Sequence, residues 1–246
     1  LYDGRNSAEA FIANMDYAQV NAAVVVQEFI DGLQNEYLVQ VASLWPERFK
    51  VCAMADWRQP GFNSQASSLM ESDAYAGMAI PGHRLRTRLD SPEFLQVFSR
   101  MESKGMFLSL CLHEDNHQIP EVEHIIAEHP SLKIAIGHFG MVTNSGWKEQ
   151  IKLALHKNVM VESGGITWLF HKEFYPYPNA IQAIRQAADL VGMEKLMWGS
   201  DYPRTITAIT YRMSYDFIAE SPLLSDGEKK AFLGENARNF SSPECT

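Results

Sequence analysis

The chain has few cysteines, no excess of positive charge and no long hydrophobic run. Three cysteines among 246 residues are too few, and odd in number, for a disulfide framework. A net charge of −9 argues against nucleic acid or an anionic membrane as the main partner. No apolar stretch reaches the roughly 18 residues that a membrane-spanning helix needs. These absences favour a cytoplasmic protein that binds neither nucleic acid nor membranes.

Several common catalytic and cofactor motifs are also missing. No Gly-x-Gly-x-x-Gly follows a candidate strand, so a dinucleotide-binding fold has no support. The chain has no Gly-x-Ser-x-Gly elbow, no phosphate-binding loop and no Cys-x-x-Cys pair. Chemistry by a nucleophilic serine or cysteine therefore has no support from sequence motifs.

The chain does contain a repeated alternation of short apolar strands with helical segments. The apolar segments lack polar alternation, as expected of strands that are covered on both faces. They are Ala22–Gln27, Phe49–Ala55, Tyr75–Ile80, Met106–Leu112, Lys133–Gly137, Val159–Glu162 and Leu196–Gly199. This alternation predicts a parallel sheet, either doubly wound or closed into a barrel. The chemical groups at distant strand ends favour the barrel, because closure brings them together.

Three of these strands end in side chains that handle protons or metals. The seventh strand leads into Asp201, the fifth, whose apolar run ends at Ile136, leads into His138, and the fourth leads into His113. Asp201 is a metal ligand and general base in one interpretation, and a helix cap or turn residue in the other. His113 could ligate a divalent ion, with His117 as a competitor. His138 could transfer a proton near a substrate oxygen, or it could be a hydrogen-bonded core histidine.

Four further residues are candidates for substrate binding. Arg84 lies in a basic run that is either a solvated face or a clamp for a substrate carboxylate, and Arg204 has the same two interpretations. Glu162 ends a strand and could bind a ligand or hold a loop. Trp168 belongs to an aromatic loop that could cover the site or pack into the core.

Together, four motifs make the chain resemble the amidohydrolase-2 branch of the amidohydrolase superfamily. They are Val20–Gln27, His129–Gly140, Leu196–Pro203 and Glu235–Phe240. Trp147 and the stretch from Glu162 to Gly164 add similarity to the lactonase-like members. The resemblance covers essentially the whole chain.

The resemblance implies a TIM (β/α)8 barrel with one divalent metal ion, zinc in the first place and manganese in the second. It implies His113 and Asp201 as metal ligands, Asp201 also as the catalytic base, and His138 as the second catalytic residue. The family's first strand carries a His-x-His pair, whereas no histidine precedes His83 here. We therefore expect a single domain over residues 1–246 in which the first barrel strand is missing, because it lies upstream of Leu1.

The leading hypothesis is a metal-dependent hydrolase that opens a lactone, or a related C–O or C–N bond, in a small carboxylate or sugar acid. The first alternative is a metal-dependent decarboxylase of an unsaturated or aromatic acid. The second is a non-catalytic barrel that binds a small ligand. A homo-oligomer is the default expectation for such a chain.

Overall fold

The computed structural model describes residues 6–29 and 32–242. Its strands form one parallel sheet of seven, in which spatial order follows chain order. The strands are β1 (Ala23–Val25), β2 (Phe49–Ala53), β3 (Tyr75–Ile80), β4 (Phe107–Leu110), β5 (Ile134–Ile136), β6 (Val159–Glu162) and β7 (Leu196–Met197). The chain thus has the α/β fold of an incomplete TIM barrel, which confirms the fold prediction.

Helices connect the strands, as parallel pairing requires. They are α1 (Ala8–Tyr17), α2 (Asn35–Leu44), α3 (Phe62–Leu69), α4 (Pro92–Ser103), α5 (Ile119–Glu128), α6 (Trp147–Lys152), α7 (Ile166–Leu169), α8 (Pro178–Val191), α9 (Met213–Ala219), α10 (Asp226–Lys230) and α11 (Asn236–Ser241). No helix in the described ranges is long and apolar enough to cross a membrane.

Two cores lie on the two faces of the sheet. The larger one packs the helices against outward-facing strand residues such as Val51, Leu108 and Ile134. The smaller one is the interior of the barrel, formed by inward-facing residues of several strands and by one residue from α11. Its buried members are Cys52, Met54, Ala79, Phe107, Ala135, Met197 and Phe240. Because successive side chains of a strand point to opposite faces, the strands β2 to β7 contribute to both cores, whereas β1 packs only against the larger one.

The barrel is open between its two outer strands. Within residues 6–29 and 32–242, β1 pairs only with β2, and β7 pairs only with β6. Val24 in the middle of β1 is 38% exposed, which is unusual for an apolar strand residue of such a fold. The gap lies where the expected first strand of a complete barrel would pair.

The structure corrects some details of the predicted elements. The helix α3 was not predicted, because its sequence from Phe62 to Leu69 is rich in serine and has few apolar positions. Ser91 is the N-cap residue of α4, but its side chain makes no capping hydrogen bond. Ser225 and Glu228 form a capping box at α10. Most strands are shorter than predicted, because the residues that follow them turn away from the sheet.

Candidate active site

The candidate site lies in the barrel interior, at the carboxyl ends of the strands. Glu162 is the last residue of β6 and points inward, as does Met160 two residues earlier. Glycines occupy the neighbouring strand ends on both sides. A Cβ atom on Gly137 would lie 3.0 Å from Oε1 of Glu162, and one on Gly199 would collide with Oε2. The two glycines therefore leave the space that the Glu162 carboxylate fills.

Backbone N–H groups hold both oxygens of this carboxylate. The amide of His138 donates to Oε1 at 3.0 Å, and the amide of Gly164 donates to Oε2 at 2.6 Å. Burial raises the pKa of Glu162, while His138 and the two backbone donors oppose that shift. Because both oxygens accept hydrogen bonds, Glu162 acts here as a brace that joins the turn after β5 to the turn after β6.

His138 lies in a tight turn directly after β5. Its backbone has φ of 53°, in the left-handed region that non-glycine residues seldom adopt. Its Nδ1 lies 2.8 Å from the carbonyl oxygen of Gly164, and the imidazole also contacts the Cys111 thiol, so both contacts fix the ring. Burial alone would lower the pKa of His138, but its contact with Cys111 and the charge of Glu162 outweigh burial and raise the pKa to about 10. These surroundings favour the protonated form of His138.

Asp201 lies beyond the end of β7, also with a left-handed backbone of φ 54°. Its Oδ2 accepts a 2.6 Å hydrogen bond from the indole Nε1 of Trp168. The Trp168 ring also lies 5.7 Å from the His138 ring, edge to face. The guanidinium of Arg204 stacks over the same indole at 3.7 Å from its centroid. Trp168 thus connects the carboxylate, the imidazole and the arginine that the sequence predicts at this site.

Arg84 lies at the same edge of the sheet, but its described contacts are with Glu28 and His83 and not with Asp201 or Trp168. It forms an ion pair of 3.1 Å with Glu28, and its Nε lies 3.2 Å from Nε2 of His83. The backbone of His83 is held by the carbonyl of Cys111 at 2.9 Å. No contact joins Arg84 to Arg204 in the described part of the chain.

His113 is in a different environment from the one expected. Its Nδ1 lies 3.0 Å from Oδ1 of Asp115, and the same oxygen contacts Nδ1 of His117. The hydrogen bonds from His117 lower the pKa of Asp115 to about 2. Over residues 6–29 and 32–242, these three side chains are the one group of at least three metal-ligating residues whose ligand atoms lie within 4.8 Å of one another.

The described residues at Asp201 do not by themselves fit a catalytic metal ion. Catalytic zinc takes three protein ligands. In the structure, however, Asp201 accepts a hydrogen bond from Trp168, and His113 contacts Asp115 instead of Asp201. No described contact joins His113 to Asp201. A complete site there would need ligands beyond the residues that the structure describes.

Cys111 is the residue of this site that sequence reasoning missed. It follows β4 directly, its Sγ would be 2.8 Å from a Cβ on Gly137, and its thiol contacts the His138 side chain. The signal was present in the strand, because inward-facing Phe107 and Ser109 predict that Cys111 also points inward.

The family profile described as amidohydrolase matches residues 2–240 of this sequence. The chain belongs to the amidohydrolase family. No curated protein sequence matches this amidohydrolase.

Solved structures share the fold of this amidohydrolase at low sequence identity. A probable 2-pyrone-4,6-dicarboxylic acid hydrolase from Acinetobacter baumannii with bound citric acid is 19% identical, with a TM-score of 0.77 over 98% of this chain and 91% of that one. A Burkholderia multivorans amidohydrolase with bound zinc is also 19% identical, with a TM-score of 0.77 over 96% and 88%.

A manganese complex of 5-carboxyvanillate decarboxylase from Novosphingobium aromaticivorans is 18% identical, with a TM-score of 0.67 over 95% and 80% of the two chains. The fold is thus shared by proteins with hydrolase and with decarboxylase names, and by chains that carry zinc or manganese.

Proposed function

We propose that this amidohydrolase hydrolyses a lactone, or a related C–O or C–N bond, in a small carboxylate or sugar acid. The observation that carries the proposal is the group formed by Asp201, Trp168 and Arg204 beside His138. In hydrolysis of an anionic ester, a carboxylate can act as general base, an imidazole N–H can stabilise the developing oxyanion, and a guanidinium can bind the substrate carboxylate. The names of the hydrolase neighbours agree with this proposal.

Asp201 is the proposed general base. Its Oδ2 is held by Trp168, so Oδ1 is the oxygen available to take a proton from an attacking water. The water oxygen then bonds to the carbonyl carbon, and the electron pair of the C=O bond moves to the carbonyl oxygen. When that pair returns, the ring C–O bond breaks, and Asp201 delivers its proton to the leaving oxygen. The products are a free hydroxyl and a carboxylic acid.

His138 is the proposed partner of the developing negative charge. Its Nδ1 is occupied by the carbonyl of Gly164, so Nε2 is the nitrogen that would face the carbonyl oxygen of the substrate, in exchange for the present contact of the ring with the Cys111 thiol. A protonated ring, which the surroundings of His138 favour, would stabilise the negative charge on that oxygen. Glu162 supports this role, because it fixes the His138 backbone.

Arg204 is the proposed contact for the substrate carboxylate. It is exposed and stacked on Trp168, which orients the guanidinium while leaving its N–H groups free for a bidentate pair. Arg84 is a second candidate, although it would have to leave Glu28 to bind a substrate.

The metal ligands implied by the family resemblance, His113 and Asp201, stay a prediction. A bound zinc or manganese ion would polarise the carbonyl and lower the pKa of a bound water. Of the two, Asp201 lies in the proposed active site. A cytoplasmic location and a homo-oligomer likewise stay predictions.

Decarboxylation is the second candidate function, and the position of His138 beside Trp168 and Asp201 is compatible with it. Loss of CO2 leaves a carbanion that must take a proton, and a protonated His138 could donate one. Decarboxylases with the same fold are among the structural neighbours.

The test is a panel of lactones, amides and aromatic acids, 2-pyrone-4,6-dicarboxylate included, with the full protein and with added zinc or manganese. Release of titratable acid without CO2 supports the hydrolase, and release of CO2 supports the decarboxylase. Asp201→Asn should lower the rate by roughly 100-fold or more, as expected for loss of a general base. Ligand binding without turnover of any compound would point to the non-catalytic alternative.

A further inference from the structure

The turn after β6 contains two consecutive glycines, and the second of them lies directly against the Trp168 indole. We propose that Gly165 is a positioning residue of the candidate active site, because its lack of a side chain lets Trp168 fold back over the turn and hold the Asp201 carboxylate. The catalytic consequence rests on the proposed function, in which Asp201 is the general base. The contacts that join Gly165, Trp168 and Asp201 do not depend on that function.

The first argument is the space that Gly165 leaves. A Cβ atom on Gly165 would lie 1.9 Å from Nε1 of Trp168, 2.4 Å from Cε2 and 2.9 Å from Cδ1. These three atoms belong to the five-membered ring of the indole, whose N–H donates to Oδ2 of Asp201 at 2.6 Å. The indole therefore occupies the volume of the absent side chain, and any residue with a Cβ would displace the donor.

The second argument is the backbone of the turn, which brings Gly165 and Trp168 together. Gly165 is the N-cap residue of the short helix α7, and its carbonyl accepts the amides of Trp168 and Leu169, each at 3.0 Å. Because residues three positions apart lie on the same side of a helical turn, the Trp168 side chain returns to Gly165. Gly165 has φ of 76° and ψ of 12°, a left-handed conformation that glycine adopts at little cost. Space and backbone conformation thus both favour glycine here.

The third argument is that the indole cannot avoid a side chain at this position and keep its partners. Asp201 accepts its N–H, and the guanidinium of Arg204 stacks over the ring at 3.7 Å from the centroid. A rotation of Trp168 away from Gly165 would break the hydrogen bond and move the surface on which Arg204 lies. The collision can therefore be relieved on the side of the indole only by releasing the Asp201 carboxylate.

The neighbouring glycine closes the other route, in which the turn itself would move. The carbonyl of Gly164 lies 2.8 Å from Nδ1 of His138, and its amide donates to Oε2 of Glu162 at 2.6 Å. A shift of the turn that made room for a side chain at Gly165 would therefore also move His138. Either way of relieving the collision disturbs a proposed catalytic group.

The test is Gly165→Ala, followed by NMR of the indole N–H groups in the intact protein. The chain has five tryptophans, and a Trp168→Phe variant identifies the resonance of Trp168. We expect this resonance to move and its N–H to exchange faster with water, because it loses the Asp201 carboxylate. On the substrate found in the panel, kcat should fall by roughly tenfold or more, as for loss of a hydrogen bond to a charged group, while KM changes less.

The matched control is Gly192→Ala, which places the same methyl group on another left-handed backbone. Gly192 has φ of 90°, and the three atoms nearest to an added Cβ all belong to the carboxylate end of Glu194, an exposed side chain that can turn into water. Gly192 precedes β7, so it lies at the amino end of the strands, away from the candidate site. This variant has the backbone cost alone and should leave the Trp168 resonance and kcat unchanged.

Two further variants separate space from backbone conformation. Asparagine tolerates a left-handed backbone but carries a Cβ, so Gly165→Asn should displace the indole as alanine does. Gly165→Ala combined with Trp168→Phe should cost little beyond Trp168→Phe alone, because phenylalanine lacks the five-membered ring and the two effects act through one contact. If Gly165→Ala alone does not fold, this double variant should restore folding.

The proposal is overturned if Gly165→Ala leaves the Trp168 resonance unchanged, if Gly165→Asn behaves as the unmodified protein, or if Gly192→Ala moves the same resonance equally. It is also overturned if the resonance moves while kcat does not fall, or if neither Gly165→Ala nor the double variant folds. A panel without turnover would count against the proposed function alone, because the NMR measurement needs no substrate.

Discussion

The indole Nε1 of Trp168 donates a 2.6 Å hydrogen bond to Oδ2 of Asp201, across 33 residues of sequence. The bond uses one carboxylate oxygen and leaves the other for a substrate water. It also ties the loop after β6 to the loop after β7, so the position of the proposed base depends on a residue from a neighbouring strand.

Trp168→Phe tests this bond, because phenylalanine keeps a ring beneath Arg204 and removes the donor. A hydrogen bond to a charged group is worth about 1.5–3 kcal/mol, so kcat should fall by roughly tenfold or more while KM changes little. Steady-state kinetics on the substrate found in the panel would measure this. Trp57→Phe is the matched control, since Trp57 also carries an arginine over its ring, at 5.8 Å, but lies outside the proposed site. A Trp168→Phe enzyme with unchanged kcat would contradict the role given to the indole.

Arg204→Gln should separate substrate binding from chemistry. The variant removes the guanidinium proposed to bind the substrate carboxylate, so KM for anionic substrates should rise by roughly tenfold, and KM for a neutral ester analogue should stay the same. The control is Arg58→Gln, because Arg58 stacks on Phe29 at 3.8 Å in a similar manner but away from Asp201. Equal rises in KM for anionic and neutral substrates would argue against a direct carboxylate contact.

Gly199→Ala tests whether the glycines beside Glu162 are needed to leave space for its carboxylate. The new methyl group would collide with Oε2 of Glu162, which accepts the amide of Gly164. We expect a loss of about 1–3 kcal/mol in the free energy of unfolding, as for other overpacked sites, measured by urea denaturation. Gly227→Ala is the control, since an added methyl there has no atom within 4 Å. The explanation fails if the two variants are equally stable.

The sequence predicted the strands and the strand ends well, because both depend on local pattern. Asp201, His138 and Glu162 each follow or end an apolar run, and the parallel order of the strands brings these ends to one edge of the barrel. The contact between Trp168 and Asp201 could not be predicted in this way. It depends on how the loop after β6 folds across the barrel, which no short-range pattern encodes.

The contacts of His113 depend on a turn that a local strand pattern does not encode. His113 follows the predicted strand directly, and for that reason the sequence favoured it over His117 as a metal ligand. The strand ends at Leu110, however, and the chain then turns outward at Asn116, where φ is 65°. Cys111 therefore points toward His138, whereas His113 is directed to Asp115.

Glu228 makes a contribution to stability that should depend on pH. It forms an ion pair with Arg185 of α8 and completes the capping box with Ser225. The hydrogen bond from Arg185 is the largest of the effects that lower the pKa of Glu228 from its usual 4.5 to about 2. Because the folded-state pKa is depressed, the contribution is present above about pH 4.5 and is lost as pH falls toward 2.

Glu228→Gln should therefore lower the free energy of unfolding by about 1 kcal/mol at neutral pH, a value set by capping energies because solvent screens the ion pair. Urea denaturation of both proteins at about pH 6 and about pH 3 should show this difference shrinking on acidification. Glu93→Gln is the control, since Glu93 also lies in the first turn of a helix but forms no ion pair in the described ranges. A difference that is equally large at both pH values would mean that Glu228 acts through its shape and hydrogen bonds rather than through its charge.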